Sequence, residues 1–199
     1  MTSTARRSLS RGVVSAGVAL ALCWAAVAPA DAHGPTRTVS TDVTVAVDRD
    51  GDDRARSTLQ VARTSASEVS AVNVAGAWAR CDDCRAVALS FQVVVADRAP
   101  DVVDADNAAL AVNEACERCE TVAIAYQFVV LNPGRSHLTG AGHARLAQVR
   151  HALWRLSRSG GTAEAMAVEA EALAAEVAEV LSSELLARPR VDREVRGRH

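Results

Sequence analysis

The chain contains no lysine: all 22 of its basic residues are arginine. This is the mark of a GC-rich coding bias rather than of a mechanism. Against 24 acidic residues the net charge is −2, so the basic excess of a nucleic-acid-binding protein is missing. Aromatics are only 3% of the 199 residues, and a core of Val, Leu and Ala with few rings buries less area per residue. Beyond the N-terminal region no uncharged run is long enough to cross a bilayer. No Gly-x-Ser-x-Gly, P-loop, dinucleotide fingerprint or His-Glu-x-x-His stands anywhere in the chain. These absences remove the readily recognised hydrolase, nucleotide-binding and metalloprotease classes. What is abundant is alanine, 41 residues within a 49% hydrophobic composition. A mean hydropathy of +0.06 with regular apolar patterning excludes global disorder.

The N-terminus reads as an export signal. Arg6, Arg7 and Arg11 precede an uncharged apolar run from Gly12 to Ala28, and Ala28-Pro29-Ala30 and Ala30-Asp31-Ala32 are overlapping A-x-A sites. Residues 1–32 are therefore expected to be a signal peptide cleaved after Ala30 or Ala32. Residues 1–30 hold three arginines and no acid, so the remainder carries −5. Cys23 leaves with the signal, and four cysteines remain for an oxidising compartment. Cleavage after Ala32 also exposes His33, whose amine and ring could chelate copper. No second His occurs before His137, and a small-residue cleavage site accounts for the same residues.

A unit recurs through the middle of the chain. Cys81 and Cys116, and Gln92 and Gln127, are each 35 positions apart, and Asn73 and Asn107 are 34 apart. A Cys-free first copy runs from Val43 to Val61 and contains Gln60. Val87, Leu89, Phe91 and Val93 alternate with small residues, as do Val122, Ile124, Tyr126, Phe128 and Val130. A period of two with β-branched and aromatic residues on one face predicts strands. Each copy then reads as a β-hairpin, turning at Cys-x-x-Cys or at Asp48–Asp53. From residue 138 the period becomes helical: Leu146, Val149, Leu153 and Leu156 form a stripe. Thr139 and Thr162 are the expected N-caps, with Ser159-Gly160-Gly161 between the helices and Pro189 ending the second. The first helix is rich in arginine and the second in glutamate, so a helical hairpin sets opposite charges against each other.

The expected fold is thus α+β: an antiparallel sheet of about three repeated β-hairpins followed by a C-terminal antiparallel helical hairpin. The expected divisions are 1–32 signal peptide, 33–135 hairpin repeats, 136–187 helical hairpin and 188–199 basic disordered tail.

Cys81, Cys84, Cys116 and Cys119 are the sharpest chemical feature. Local disulfides, Cys81–Cys84 and Cys116–Cys119, fit an exported protein. Side-by-side hairpins would hold equivalent turns about 9.5 Å apart, beyond the roughly 7 Å reach of a disulfide. Four thiolates on two turns also suit tetrahedral zinc, although the pairs are far apart in sequence and the Gly and Pro usual in zinc knuckles are absent. Thiol exchange is the third reading, disfavoured by Asp82, Asp83 and Glu117, which raise a thiol pKa. Asp48-x-Asp50-Gly51-Asp52 departs from a calcium loop in its Gly position and has Leu59 at the twelfth place; it reads as a turn. His143 and His151, eight apart on the first helix, read as a solvated face. Gln60, Gln92 and Gln127, and Asn73 and Asn107, read as structural amide rows.

Cys116, Cys119, Thr121, Val122, Ala123, Ala125 and Gln127 complete a motif, Asn-x-Ala-x-Ala…Cys-x-x-Cys-x-Thr-Val-Ala-x-Ala-x-Gln. By it the chain resembles a group of secreted, mostly actinobacterial proteins of unassigned function. Arg85, Ala86 and Ser90 depart from it in the earlier copy. The unit is also similar to stretches of proteins loosely labelled membrane zinc peptidases, whose peptidase motif this chain lacks. The resemblance implies export and a shared fold and brings no catalytic residues. The resulting expectation is an exported, non-catalytic structural or interaction module of the cell envelope or extracellular space, without cofactor. Its partner would be a protein or envelope component, a second copy included. The alternative is a zinc-binding or thiol-redox protein using the four cysteines.

Overall fold

A computed structural model describes residues 35–132, 134 and 136–187. Six twelve-residue strands come first: β1 (Thr36–Val47), β2 (Asp53–Thr64), β3 (Glu68–Ala79), β4 (Arg85–Ala96), β5 (Val102–Asn113) and β6 (Glu120–Leu131). They are followed by β7 (Ser136–Leu138), α1 (Gly140–Ser157), α2 (Ala163–Ser183) and β8 (Leu185–Ala187). The expected signal peptide with Cys23, His33, the basic tail and Pro189 lie outside the described residues.

The antiparallel sheet of hairpins does not form. Strands β1, β3 and β5 make one parallel sheet in that order, and β2, β4 and β6 make a second. The two strands of a unit face each other across the interior instead of pairing, so each unit is an arch. Three arches stack as rungs of a flattened solenoid. Side-chain alternation has a period of two in either kind of sheet, so alternation alone does not choose between them. Hairpin arms must exchange hydrogen bonds across their turn. Here the arc backbone bonds to the next rung: Arg80 N–H donates to Val47 O (3.0 Å) and Glu114 N–H to Ala79 O (2.9 Å).

Parallel stacking places like on like. Gln60, Gln92 and Gln127 are in register, as are Asn73 and Asn107, and Phe91 and Tyr126. The Phe91 and Tyr126 rings lie 5.1 Å apart in a tilted pair. Two sets of side chains build two interiors. Between the sheets lie small residues, among them Ala71, Ala75, Ala77 and Ala79 of β3 and Ala86, Ala88 and Ser90 of β4, all fully buried. On the other face of β4, Val87, Leu89, Phe91, Val93 and Val95 pack against Leu146, Val149, Leu153 and Leu156 of α1 and Met166, Ala170, Val177 and Val180 of α2. The molecule therefore has three layers, and β4 is covered on both sides, the usual situation of a parallel strand.

Both helix caps form as the sequence indicates. Thr139 accepts from Gly142 N–H and Thr162 from Ala165 N–H. Arg145 of α1 reaches Glu176 of α2 at 2.8 Å. The second helix stops at Ser183, short of Pro189, and Leu185 belongs to β8. The reason is local: β7 and β8 pair antiparallel, Ser136 to Leu138 against Ala187 to Leu185, and clasp the two ends of the helical hairpin together. No helix of the described residues is long and apolar enough to cross a membrane.

Candidate functional site

Each arc must reverse the chain in five or six residues, and it does so through a left-handed residue at a shared place. Gly51 (φ 74°), Asp83 (57°) and Arg118 (55°) occupy it in the three rungs. The longer third arc adds Ala115 (47°). Glycine takes this conformation freely, whereas Asp and Arg must be held in it. The bonds between rungs hold them. Asp82 N–H donates to the Asp50 carboxylate (3.0 Å) and Glu117 N–H to the Asp82 carboxylate (2.8 Å). Gly51 N–H donates to Asp82 O and Asp83 N–H to Glu117 O, each at 2.9 Å. Arg118 grips Asp83 with two nitrogens at 2.5 and 2.7 Å, and that hydrogen bond holds the Asp83 carboxyl below its ordinary range.

Cys81 and Cys84, and Cys116 and Cys119, flank these left-handed residues and are paired at disulfide distance, with Cα separations of 5.9 and 6.0 Å. Both pairings are within an arc, the local pairing expected from the sequence. Side-by-side turns two strands apart do not occur. Because the rungs stack directly, equivalent arc positions are one strand spacing apart, about 4.8 Å, and all four cysteines share one apolar cluster. The Asp48–Asp53 stretch is the first arc. Asp50 is engaged by Asp82 N–H and Asp52 by Arg54 at 3.0 Å. Among the described residues no group of three or more His, Cys, Asp or Glu is arranged to hold a metal ion. His151 stacks on Trp154 with ring centres 5.8 Å apart, and Arg158 lies 4.7 Å from that Trp154 ring. The helical histidines are thus separate from the cysteine arcs.

The amide rows tie the two sheets together. The Asn73 amide nitrogen reaches Ser90 O (3.2 Å), Tyr126 O (3.1 Å) and Asn107 Oδ1 (2.8 Å). Gln92 Nε2 donates to Thr41 Oγ1 (2.9 Å) and Val72 O (2.9 Å), and Gln127 Nε2 to Gln92 Oε1 (2.8 Å). Such reach across sheets requires them to lie close, which the surrounding alanines permit.

The sequence offers a sheet edge and an Ala-rich face as contact surfaces, and the structure places such an edge on the last rung. The last rung has no neighbour on its far side among the described residues. Eleven of the twelve residues of β5 are exposed. Val102, Val103, Leu110 and Leu131 are four of the seven exposed large hydrophobics, and all lie on this rung. In β3 the interior positions Ala71, Asn73, Ala75 and Ala77 are fully buried, yet their register partners Ala105, Asn107, Ala109 and Ala111 face solvent. The first rung differs. Arg54 and Arg56 stand in register with the interior residues Ala86 and Ala88, and inward-pointing charges blunt a strand edge. The one signal in the sequence is that no fourth copy precedes the helices.

Compared with family models, curated proteins and solved structures, the chain matches none.

Proposed function

We propose that the protein is an exported, non-catalytic interaction module whose working surface is the open final rung. The observation that carries this reading is the exposure of eleven of the twelve residues of β5 together with exposed Val102, Val103, Leu110 and Leu131 on the same rung. A free strand edge offers a row of unpaired N–H and C=O groups, and an extended segment of a partner can add to it as a further strand. The uncharged interior column of Ala105, Asn107, Ala109 and Ala111 is complementary to small apolar side chains. Export is supported by the N-terminal charge and apolar pattern and by cysteines paired at disulfide distance.

Cross-linking in intact cells of the native host, followed by recovery of the protein, tests this reading. The expected result is one cross-linked species mapped to β5 or β6 and lost in Ala109→Lys and Leu110→Lys. Cross-links that map elsewhere and survive both substitutions would overturn it. The second reading, zinc binding or thiol exchange, rests on the presence of two Cys-x-x-Cys pairs on adjacent arcs. Mass measured without reductant discriminates: two disulfides lower the mass by four hydrogens, whereas four free thiols with one retained zinc would establish the alternative.

A further inference from the structure

Beneath the first half of α1, against the outer face of the β2–β4–β6 sheet and the β7–β8 clasp, lies a cavity of about 260 Å³. Its apolar walls are Val61, Val95, Leu146 and Leu185. Its polar lining is of one kind: His137, His143, Arg63 and Arg150 contribute nitrogen donors, and no carboxylate is among the lining residues. Arg63 is already neutralised by Asp97 at 3.0 Å. Arg150 is not. Its guanidinium, at an exposed position of α1, donates to the Leu59 carbonyl at 3.3 and 3.4 Å and forms no ion pair among the described residues. His137 buries its Nδ1 without a hydrogen-bond partner. A buried unpaired polar atom is costly and calls for a reason. An apolar hollow with a few convergent polar groups is the general form of a small-ligand site.

We infer that this cavity binds a short-chain aliphatic carboxylate, its chain on Val61, Val95, Leu146 and Leu185 and its head group on Arg150 and the two histidines. The size is suitable: the volume equals that of about eight or nine liquid waters, enough for a chain of roughly six carbons. The charge is suitable because Arg150, exposed at the rim and without an ion pair among the described residues, offers guanidinium donors to a carboxylate, and no carboxylate of the lining competes for them. The site is separate from the open rung and does not depend on it.

Hexanoate titrated into the full oxidised protein, observed through the imidazole proton signals of His137 and His143, is the test. Saturable shifts of both histidines are expected. Hexan-1-ol, which cannot form the charge-assisted bonds, binds at least about tenfold more weakly, and Arg150→Gln weakens hexanoate by about the same factor. Ala147→Phe, at an exposed helix position lining the cavity, fills it and abolishes the shifts while the unfolding midpoint is retained. If Ala147→Phe fails to fold, the comparison of Arg150→Gln with the parent decides. Absence of saturation at millimolar hexanoate, equal binding of hexan-1-ol, or unweakened binding by Arg150→Gln would overturn the inference.

Discussion

Asn73 shows how much one residue does in this fold. It is fully buried, and besides its three donor contacts its Oδ1 accepts from Ser90 Oγ at 2.6 Å. Asn107, one rung further, makes the same kind of contact, to Ala125 O at 3.0 Å, in an exposed place. Asn73→Ala strands several buried partners and is expected to cost about 2–4 kcal/mol, while at the wet position of Asn107 the change to Ala costs under about 1 kcal/mol. Urea titrations of the two variants measure the difference. Asp97 makes a second case. Burial raises its pKa, but Ser136, through its backbone N–H and its hydroxyl, and Arg63 together outweigh burial and leave the carboxyl below its ordinary value. A folded value below the unfolded one means that its stabilisation is present above the unfolded pKa and is lost as pH falls through the folded one. Asp97→Asn should therefore flatten the acid side of the stability profile, below about pH 4. An unchanged urea midpoint profile in that window would refute the assignment.

Among the elements, β4 and β5 have the same length and opposite surroundings. Leu89 of β4 is fully buried beneath the helices, whereas Leu110 of β5 is 54% exposed. Leu89→Ala is expected to destabilise by about 2–5 kcal/mol and Leu110→Ala by no more than about 0.5 kcal/mol. Denaturant unfolding checks both, and a large cost at Leu110 would mean that the last rung is covered in solution. The arcs are elements too. A disulfide between residues three apart closes a very small ring and constrains the unfolded chain little, so reduction should cost about 2 kcal/mol or less per bond. The fold is expected to persist in reductant with a lowered unfolding midpoint, followed by circular dichroism. Complete unfolding on reduction would assign the arcs a larger structural role.

At the scale of the whole molecule the two ends of the stack differ. Charges aimed inward blunt the first rung, and among the described residues nothing comparable guards the last. A stack of this kind gains a neighbour's buried contacts with every added rung, so its open end is where association is most favourable. Ala109→Lys and Leu110→Lys place a charge on that end without touching the covered layers. They are expected to leave the unfolding midpoint within about 0.5 kcal/mol of the parent and to abolish association, read by cross-linking and by sedimentation.

The sequence by itself determined the strands, the place and period of the arcs, the two helix caps and the cysteines paired within each arc. Apart from the period of the arcs, which a 34- to 35-residue repeat carries, these depend on neighbours within a few residues: a period of two, an oxygen aimed at the first helical turn, a Cys-x-x-Cys spacing. The bulky and small faces of Val87–Val93 and Val122–Val130 were legible as well. Which face met what was decided only by the tertiary structure. Alternation is the same in parallel and antiparallel sheets. The choice between them fell to contacts 32 to 35 residues apart, where asparagine stacks on asparagine and glutamine on glutamine. The alanines settled the rest, because only side chains that small let one sheet's amides reach the other's carbonyls.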